Sequence, residues 1–219
     1  MREALRQILL SRWSKSAVFL LCLSPLGYLG WRAYHDELTA NPVEFIQHFT
    51  GDWTLRLLLV TLAVTPLRRL LNLPDLIRFR RMLGLFAFTY VCLHFLTYIG
   101  PDQAFDLGGM WKDIAKRPFI TVGFSAFVLM LPLALTSTAG SIRRLGGRNW
   151  QRLHRLIYAT AILGVIHYLW LVKADKHKPL EYGAVLSVLL LYRAVAWAAE
   201  RRKQGGISTM RPATEATQP

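Results

Sequence analysis

The sequence is short of three things, and each shortage excludes a class of protein. It has only two cysteines in 219 residues, Cys22 and Cys92, both inside apolar runs. A disulfide framework or a thiolate zinc site would need more thiols, or a His/Cys cluster at ligand spacing, so both read as packing residues. Acids are scarce: 13 Asp and Glu stand against 27 Lys and Arg, for a net charge of +14. Long polar stretches are also missing, because charged residues make up only 18% of the chain and fall almost entirely between apolar blocks. No G-x-G-x-x-G unit appears, which leaves a dinucleotide-binding domain without its phosphate loop.

What is present is apolar and long. Hydrophobic residues make up 53% of the chain, in blocks long enough to cross roughly 30 Å of hydrocarbon. The basic excess would suit nucleic acid if it formed a patch. It sits instead in the short connections between blocks, where Lys and Arg set membrane orientation. The pattern therefore argues against nucleic acid and for membrane lipid as the surrounding partner. Strand-like alternation and internal repeats are absent.

The reading is an all-α polytopic membrane protein, a six-helix transmembrane bundle. Span 1 covers about 17–34. The chain opens like a signal peptide, with Arg2, Arg6, Arg12 and Lys15 ahead of an apolar run from Ala17. The run continues to Trp31 with no clean cleavage site, so a retained first span is expected. Span 2 covers about 53–71, span 3 about 82–100, span 4 about 119–137, span 5 about 152–172 and span 6 about 182–199. The stretch 35–52 holds no Lys or Arg, whereas the linkers 68–81 and 138–151 are rich in arginine. Most Lys and Arg thus fall with the N-terminus, those two linkers and the tail, which places both termini in the cytoplasm. The divisions are a cytoplasmic segment 1–16, a transmembrane domain 17–199 and a cytoplasmic tail 200–219, disordered beyond Gly205.

Histidines are costly in hydrocarbon. His94 lies in the outer half of span 3. His154 and His167 both belong to span 5, at its inner edge and its outer half. They are separated by about 20 Å of helix, so His94 and His167 share an outer depth on two different helices. Two imidazoles facing each other across a bundle can ligate one haem iron axially. An ideal helix leaves His154 and His167 roughly 140° apart. A π-bulge, a tilt or His154 placed just outside the regular helix would reconcile them, with Gly164 as the candidate for local distortion. Other readings stay open. A membrane histidine often only hydrogen-bonds a neighbouring helix, and beside Arg152 and Arg155 a solvated interfacial role for His154 stands level with a ligand role. A proton relay or a transport path is the rival for the pair, but a relay usually recruits acids and spans 3, 4 and 5 contain none. His35, His48 and His177 read as ordinary outer-surface residues. Phe86, Phe88, Tyr90, Phe95, Tyr98, Tyr158, Tyr168 and Trp170 cluster near these levels. For most of them the reading is membrane packing and an interfacial belt, and a porphyrin would want the same lining.

Three segments carry a family resemblance: TGDWTLRLLLVTLAVTPLRRLL in span 2, RRMLGLFAFTYVCLHFLTY in span 3 and GGRNWQRLHRLIYATAILGVIHYLW in span 5. They resemble the ferric-reductase-like transmembrane family, over about residues 15–200. The resemblance implies haem ligation by His94, His154 and His167, with His154 the least secure of the three. One departure stands out. Oxidase members carry a second span 3 histidine about one span-depth earlier, where this chain reads Arg80, Arg81 and Met82. His154 is then left with three possible roles: pairing with a different ligand, a five-coordinate iron, or service to a flavin or quinone site.

The span 2 segment narrows the resemblance to a bacterial branch serving a periplasmic methionine-sulfoxide reductase. That branch implies one or two haem b groups and FMN, in a subunit of the bacterial inner membrane with no catalytic residue of its own. It implies electrons arriving from the quinone pool or a cytosolic flavin reductase. They would leave outward to a soluble molybdenum-containing periplasmic partner that reduces methionine sulfoxide in oxidised proteins. Arg80, Arg81, Arg148 and Arg152 at the inner rim are candidates for haem propionates, FMN phosphate or lipid head groups, with topology and lipid the default. The loops 35–52 and 101–118 are candidate docking surfaces for the partner. Two alternatives remain at this point: an outward-delivering ferric or metal reductase of the same fold, and a histidine-containing transporter without haem.

Overall fold

A computed structural model describes residues 2–208. Every element among them is helical: α1 (Arg2–Leu10), α2 (Arg12–Tyr34), α3 (Pro42–Leu70), α4 (Arg80–Thr97), α5 (Leu107–Lys116), α6 (Pro118–Leu135), α7 (Ala139–Leu145), α8 (Gly147–Leu153), α9 (Leu156–Leu171) and α10 (His177–Ser208). A 3₁₀ turn, Pro74–Phe79, leads into α4, and a π turn, Tyr98–Asp102, ends it. Among the described residues, three helical stretches are long and apolar enough to cross a membrane by length and composition: Pro74–Asp102, Pro118–Leu135 and His177–Arg202.

The helix boundaries correct the sequence reading in five places. The acidic stretch 35–52 is not all loop, because α3 begins at Pro42. Asn41 caps it through its side chain on Glu44 N, Pro42 takes the first turn, and Glu44 faces the positive helix end. The linker 101–118 contains α5, started by the Asp106 side chain on Gly109 N. The linker 138–151 contains α7 and most of α8. Span 5 is not one helix: α8 stops at Leu153, α9 starts at Leu156, and His154 lies between them. At its other end the chain stays helical through Ser208, past the point where the sequence suggests disorder; 209–219 lie outside the described residues.

Two helix pairs build the core. α3 runs along α4, α6 runs along α9, and the two pairs pack against each other. Small residues let the helices approach closely: Ala87 on α4 and Ala161 on α9 are fully buried, and Gly84 lies opposite Thr61. Leu58 and Leu62 on α3 fill the centre, with Tyr90 from α4. Buried threonines cost little here, because Thr54, Thr61 and Thr160 each bond the carbonyl one turn back. Outward faces are apolar instead, with Leu20 and Leu21 on α2 and Val188, Leu191 and Val195 on α10 exposed. Apolar surface on that scale needs a hydrocarbon surrounding.

Polar ties hold the flanking helices to the core. Tyr90 Oη donates to Cys22 O (2.9 Å), joining α4 to α2. Arg193 donates to Leu62 O (2.8 Å) and Tyr158 Oη (2.7 Å), joining α10 to α3 and α9. Removing the first tie with Tyr90→Phe should lower stability by about 1 kcal/mol, seen as a lower melting midpoint in detergent with helix content unchanged.

Candidate functional site

His94 on α4 and His167 on α9 come together. Their rings lie 6.2 Å apart, centroid to centroid, with planes at 82°. Each ring is held from behind in the same way. His94 Nδ1–H donates to Gln47 O of α3 (2.9 Å), and His167 Nδ1–H donates to Phe119 O of α6 (2.7 Å). That fixes the tautomer of both imidazoles and leaves Nε2 of each as the nitrogen with a lone pair.

A glycine makes each contact possible. In a helix the side chain of residue i+4 leans back over the carbonyl of residue i. Gly51 stands four after Gln47, and Gly123 stands four after Phe119. A Cβ on Gly51 would meet His94 Cε1 at 3.1 Å and Nδ1 at 3.2 Å; one on Gly123 would meet His167 Nδ1 at 2.6 Å. The two glycines are therefore seats for the two rings. Sequence reading passed over both. The available signal was a glycine inside a helical run, which costs about 1 kcal/mol against alanine and asks for a packing reason.

The rings face a cavity of about 570 Å³ lined from α3, α4, α6 and α9, a size suited to a cofactor or drug-sized ligand. Its walls are mainly apolar, with Leu55, Phe95, Phe124, Phe127 and Met130 among them, together with Tyr98 and Tyr168. Of the aromatics singled out in the sequence, Phe95, Tyr98 and Tyr168 line this space. Phe88 stacks on Phe127 behind the wall, Tyr90 belongs to the core, and Trp170 faces outward. His48 is exposed, as the sequence suggests, but it lies on α3 rather than in a loop, pairs with Glu44 (3.8 Å) and lines the cavity. Gly164 does not distort α9. Its missing Cβ admits Leu55, whose Cδ2 would lie 3.0 Å away.

The donor set decides which metal species suits the site. No group of three or more His, Cys, Asp or Glu able to hold a metal ion occurs among the described residues. A bare ion held by protein needs more than two ligands. A metal that brings its own planar donors needs only two axial ones, and two opposed imidazoles supply those. Two metal–nitrogen bonds of about 2 Å each, with half a ring on either side, come close to the spacing seen.

His154 is not part of this pair. It sits where α8 gives way to α9, stacked on Trp150 at 3.9 Å. The Thr136 hydroxyl donates to Pro132 O (2.6 Å), so its oxygen accepts from His154 Nε2 (3.0 Å). Trp150 Nε1 donates to Thr136 O (2.9 Å), tying the same corner to the end of α6. Lying outside the regular helix, His154 escapes the angular limit that a continuous span 5 would impose. His35 packs against Trp31, and His177 pairs with Glu181 (3.1 Å), both at the surface.

The model of the ferric reductase like transmembrane component family matches residues 50–165. Among similar proteins is the protein-methionine-sulfoxide reductase heme-binding subunit MsrQ of Herminiimonas arsenicoxydans, 56% identical over 193 residues, covering 87% of this chain and 88% of the relative. The MsrQ proteins of Caulobacter vibrioides (53% identical; 84% and 87% covered) and Rhodospirillum rubrum (51%; 89% and 93%) are comparably similar. No solved structure matches.

The glycine seats can be tested without any cofactor. Nitrogen NMR of histidine-labelled protein should show His94 and His167 as Nδ1–H tautomers. Gly123→Ala should disturb the His167 resonances and leave His94 in place, and Gly51→Ala should do the reverse more mildly. Equal disturbance of both rings by either variant would contradict the assignment.

Proposed function

The chain belongs to the MsrQ family within the ferric-reductase-like transmembrane proteins, and from that premise we propose that it is a haem b electron-transfer subunit of the bacterial inner membrane. Electrons enter from the quinone pool or a cytosolic flavin reductase. They leave to an MsrP-like periplasmic molybdenum enzyme that reduces methionine sulfoxide in oxidised proteins. The observation that carries this reading is the pair of Nδ1-anchored imidazoles 6.2 Å apart across a cofactor-sized cavity.

Six spans fit the reading, formed by α2, α3, α4, α6, α9 and α10, with both termini in the cytoplasm and residues 17–199 as the membrane domain. α9 has 16 residues, about 24 Å of helix, and the α8 turn completes its passage at the inner side. His94 and His167 would hold the haem iron through their Nε2 nitrogens. Haem iron, when bound, supplies the one-electron chemistry. The chain's own residues do the rest. Gln47 O and Phe119 O hold the Nδ1 protons, which orients the rings and raises the basicity of Nε2. Phe95, Phe124 and Phe127 keep water from the cavity walls. His154 is assigned to the inner level, as a third candidate ligand or as part of an FMN or quinone site.

The test is a reduced-minus-oxidised absorption spectrum of the purified protein, with haem and flavin quantified per chain. His94→Ala and His167→Ala should each remove the same haem. His154→Ala should leave that haem and change the inner site. Loss of spectrally distinct haems in the first two variants would break the pairing, and a wild-type protein without a Soret band would end the electron-transfer reading.

A further inference from the structure

Two short helices, α1 and α5, expose large apolar side chains. α1 has nine residues and α5 has ten, about 14 and 15 Å of helix, half of what the hydrocarbon layer requires. Neither can cross a membrane. Yet Leu5 and Ile8 on α1 are 43% and 63% exposed, and Leu107 and Trp111 on α5 are both 57% exposed. Paired apolar side chains on one helix face call for a covering.

Each helix has three faces, since residues three and four apart lie together on its surface. In α5, Met110 and Ile114 are buried with Tyr98 against Ile120 and Phe124. Leu107 and Trp111 form the adjoining stripe, and the Trp111 ring meets Phe124 edge-on at 5.7 Å. Lys112 and Lys116 stand on the far side, exposed. In α1, Leu9 packs toward the core. Arg6 donates to Asp75 (3.1 Å) and Arg78 donates to Leu9 O (2.6 Å), which fastens that side to the turn Pro74–Phe79. Leu5 and Ile8 form the adjoining stripe, and Glu3 and Gln7 stand on the far side, exposed. A helix with protein on one side, an apolar stripe beside it and a polar face opposite is built to lie in a membrane interface.

The two helices sit at opposite ends of α4. α1 is fastened to the turn that leads into α4, and α5 follows the π turn that ends it. The 18 residues of α4 span about 27 Å, close to the roughly 30 Å of the hydrocarbon layer. An exposed tryptophan marks each level: Trp13, just past α1, with the Arg12 guanidinium 5.3 Å from its ring centre, and Trp111 on α5. Tryptophan belongs at the membrane–water boundary, where one end of the ring is apolar and the other wet. We propose that α1 and α5 are interfacial helices, one at each face of the bilayer, with the Leu5 and Ile8 stripe and the Leu107 and Trp111 stripe sunk among lipid chains. Ile114 of α5 lines the cavity, and His94 stands three residues before the end of α4, about 5 Å along the axis. α5 thereby sets the ring pair just beneath one membrane surface. The inference rests on the membrane setting of the proposed function and holds whether or not the rings bind haem.

The experiment is spin labelling of the full chain in phosphatidylcholine nanodiscs, with Cys22 and Cys92 replaced by alanine. Single labels are introduced through Ile8→Cys, Gln7→Cys, Leu107→Cys and Lys112→Cys, with Val188→Cys on α10 as the span reference; all five side chains are exposed. Collisions with oxygen, which concentrates in lipid, are compared with collisions with a water-soluble nickel chelate. The oxygen-to-nickel ratio should be several-fold higher at positions 8 and 107 than at 7 and 112, and highest at 188. A low ratio at 8 or 107 beside a high one at 188 overturns the proposal alone, and leaves that stripe in water, as a docking site for a soluble partner would be. A low ratio at all five overturns the membrane reading with it. The unaltered chain gives a second measurement that needs no cysteine replacement. A lipid-borne diazirine should label the segments that hold Ile8 and Leu107, and label on α10 without label on those two segments likewise overturns the proposal.

Discussion

A half-buried imidazole in an apolar interior is tolerable only when its N–H has somewhere to go, and in this fold both go to helix carbonyls. A helix carbonyl is already engaged one turn ahead, and the next turn's side chain shields it. Glycine at that one position removes the shield. The positions of α3 against α4 and of α6 against α9 follow from this. Each ligand helix can lie no further from its supporting helix than a ring laid over a glycine permits. The same device appears once in each pair, so the two rings meet in the middle with matching tautomers.

The interior around the rings is arranged so that nothing competes for Nε2. No acid occurs in α4, α6 or α9. The threonines in the core turn their hydroxyls back onto their own helices. Charge is confined to the two ends. One end mixes acids and bases, with Asp52 serving Arg56 (3.8 Å) and Lys178 (4.0 Å). The other end is dominated by arginine. Such an uneven placement of Lys and Arg is what sets orientation in a membrane.

The sequence made the helices and the His94–His167 pair legible, because apolar length, charge placement and depth along a helix are one-dimensional properties. His94 and His167 could be matched by depth alone. The early start of α3 was legible too, in Asn41, Pro42 and Glu44, but the acidic composition of 35–52 drew attention to solvent instead. Gly51 and Gly123 were not legible as seats. Glycine is common in membrane helices, and only the facing helix reveals why these two matter. The break at His154 was hidden for the same reason: it depends on which helix ends lie beside one another.

The division of the ring supports between two helix pairs has a consequence for biogenesis. The hairpin of α3 and α4 leaves the ribosome complete with His94 and its seat, well before α6 and α9 exist. Neither hairpin alone presents two opposed ring nitrogens. A group held by both rings would therefore bind only once the second hairpin has docked on the first, and it would brace the early-made half of the chain against the late-made half.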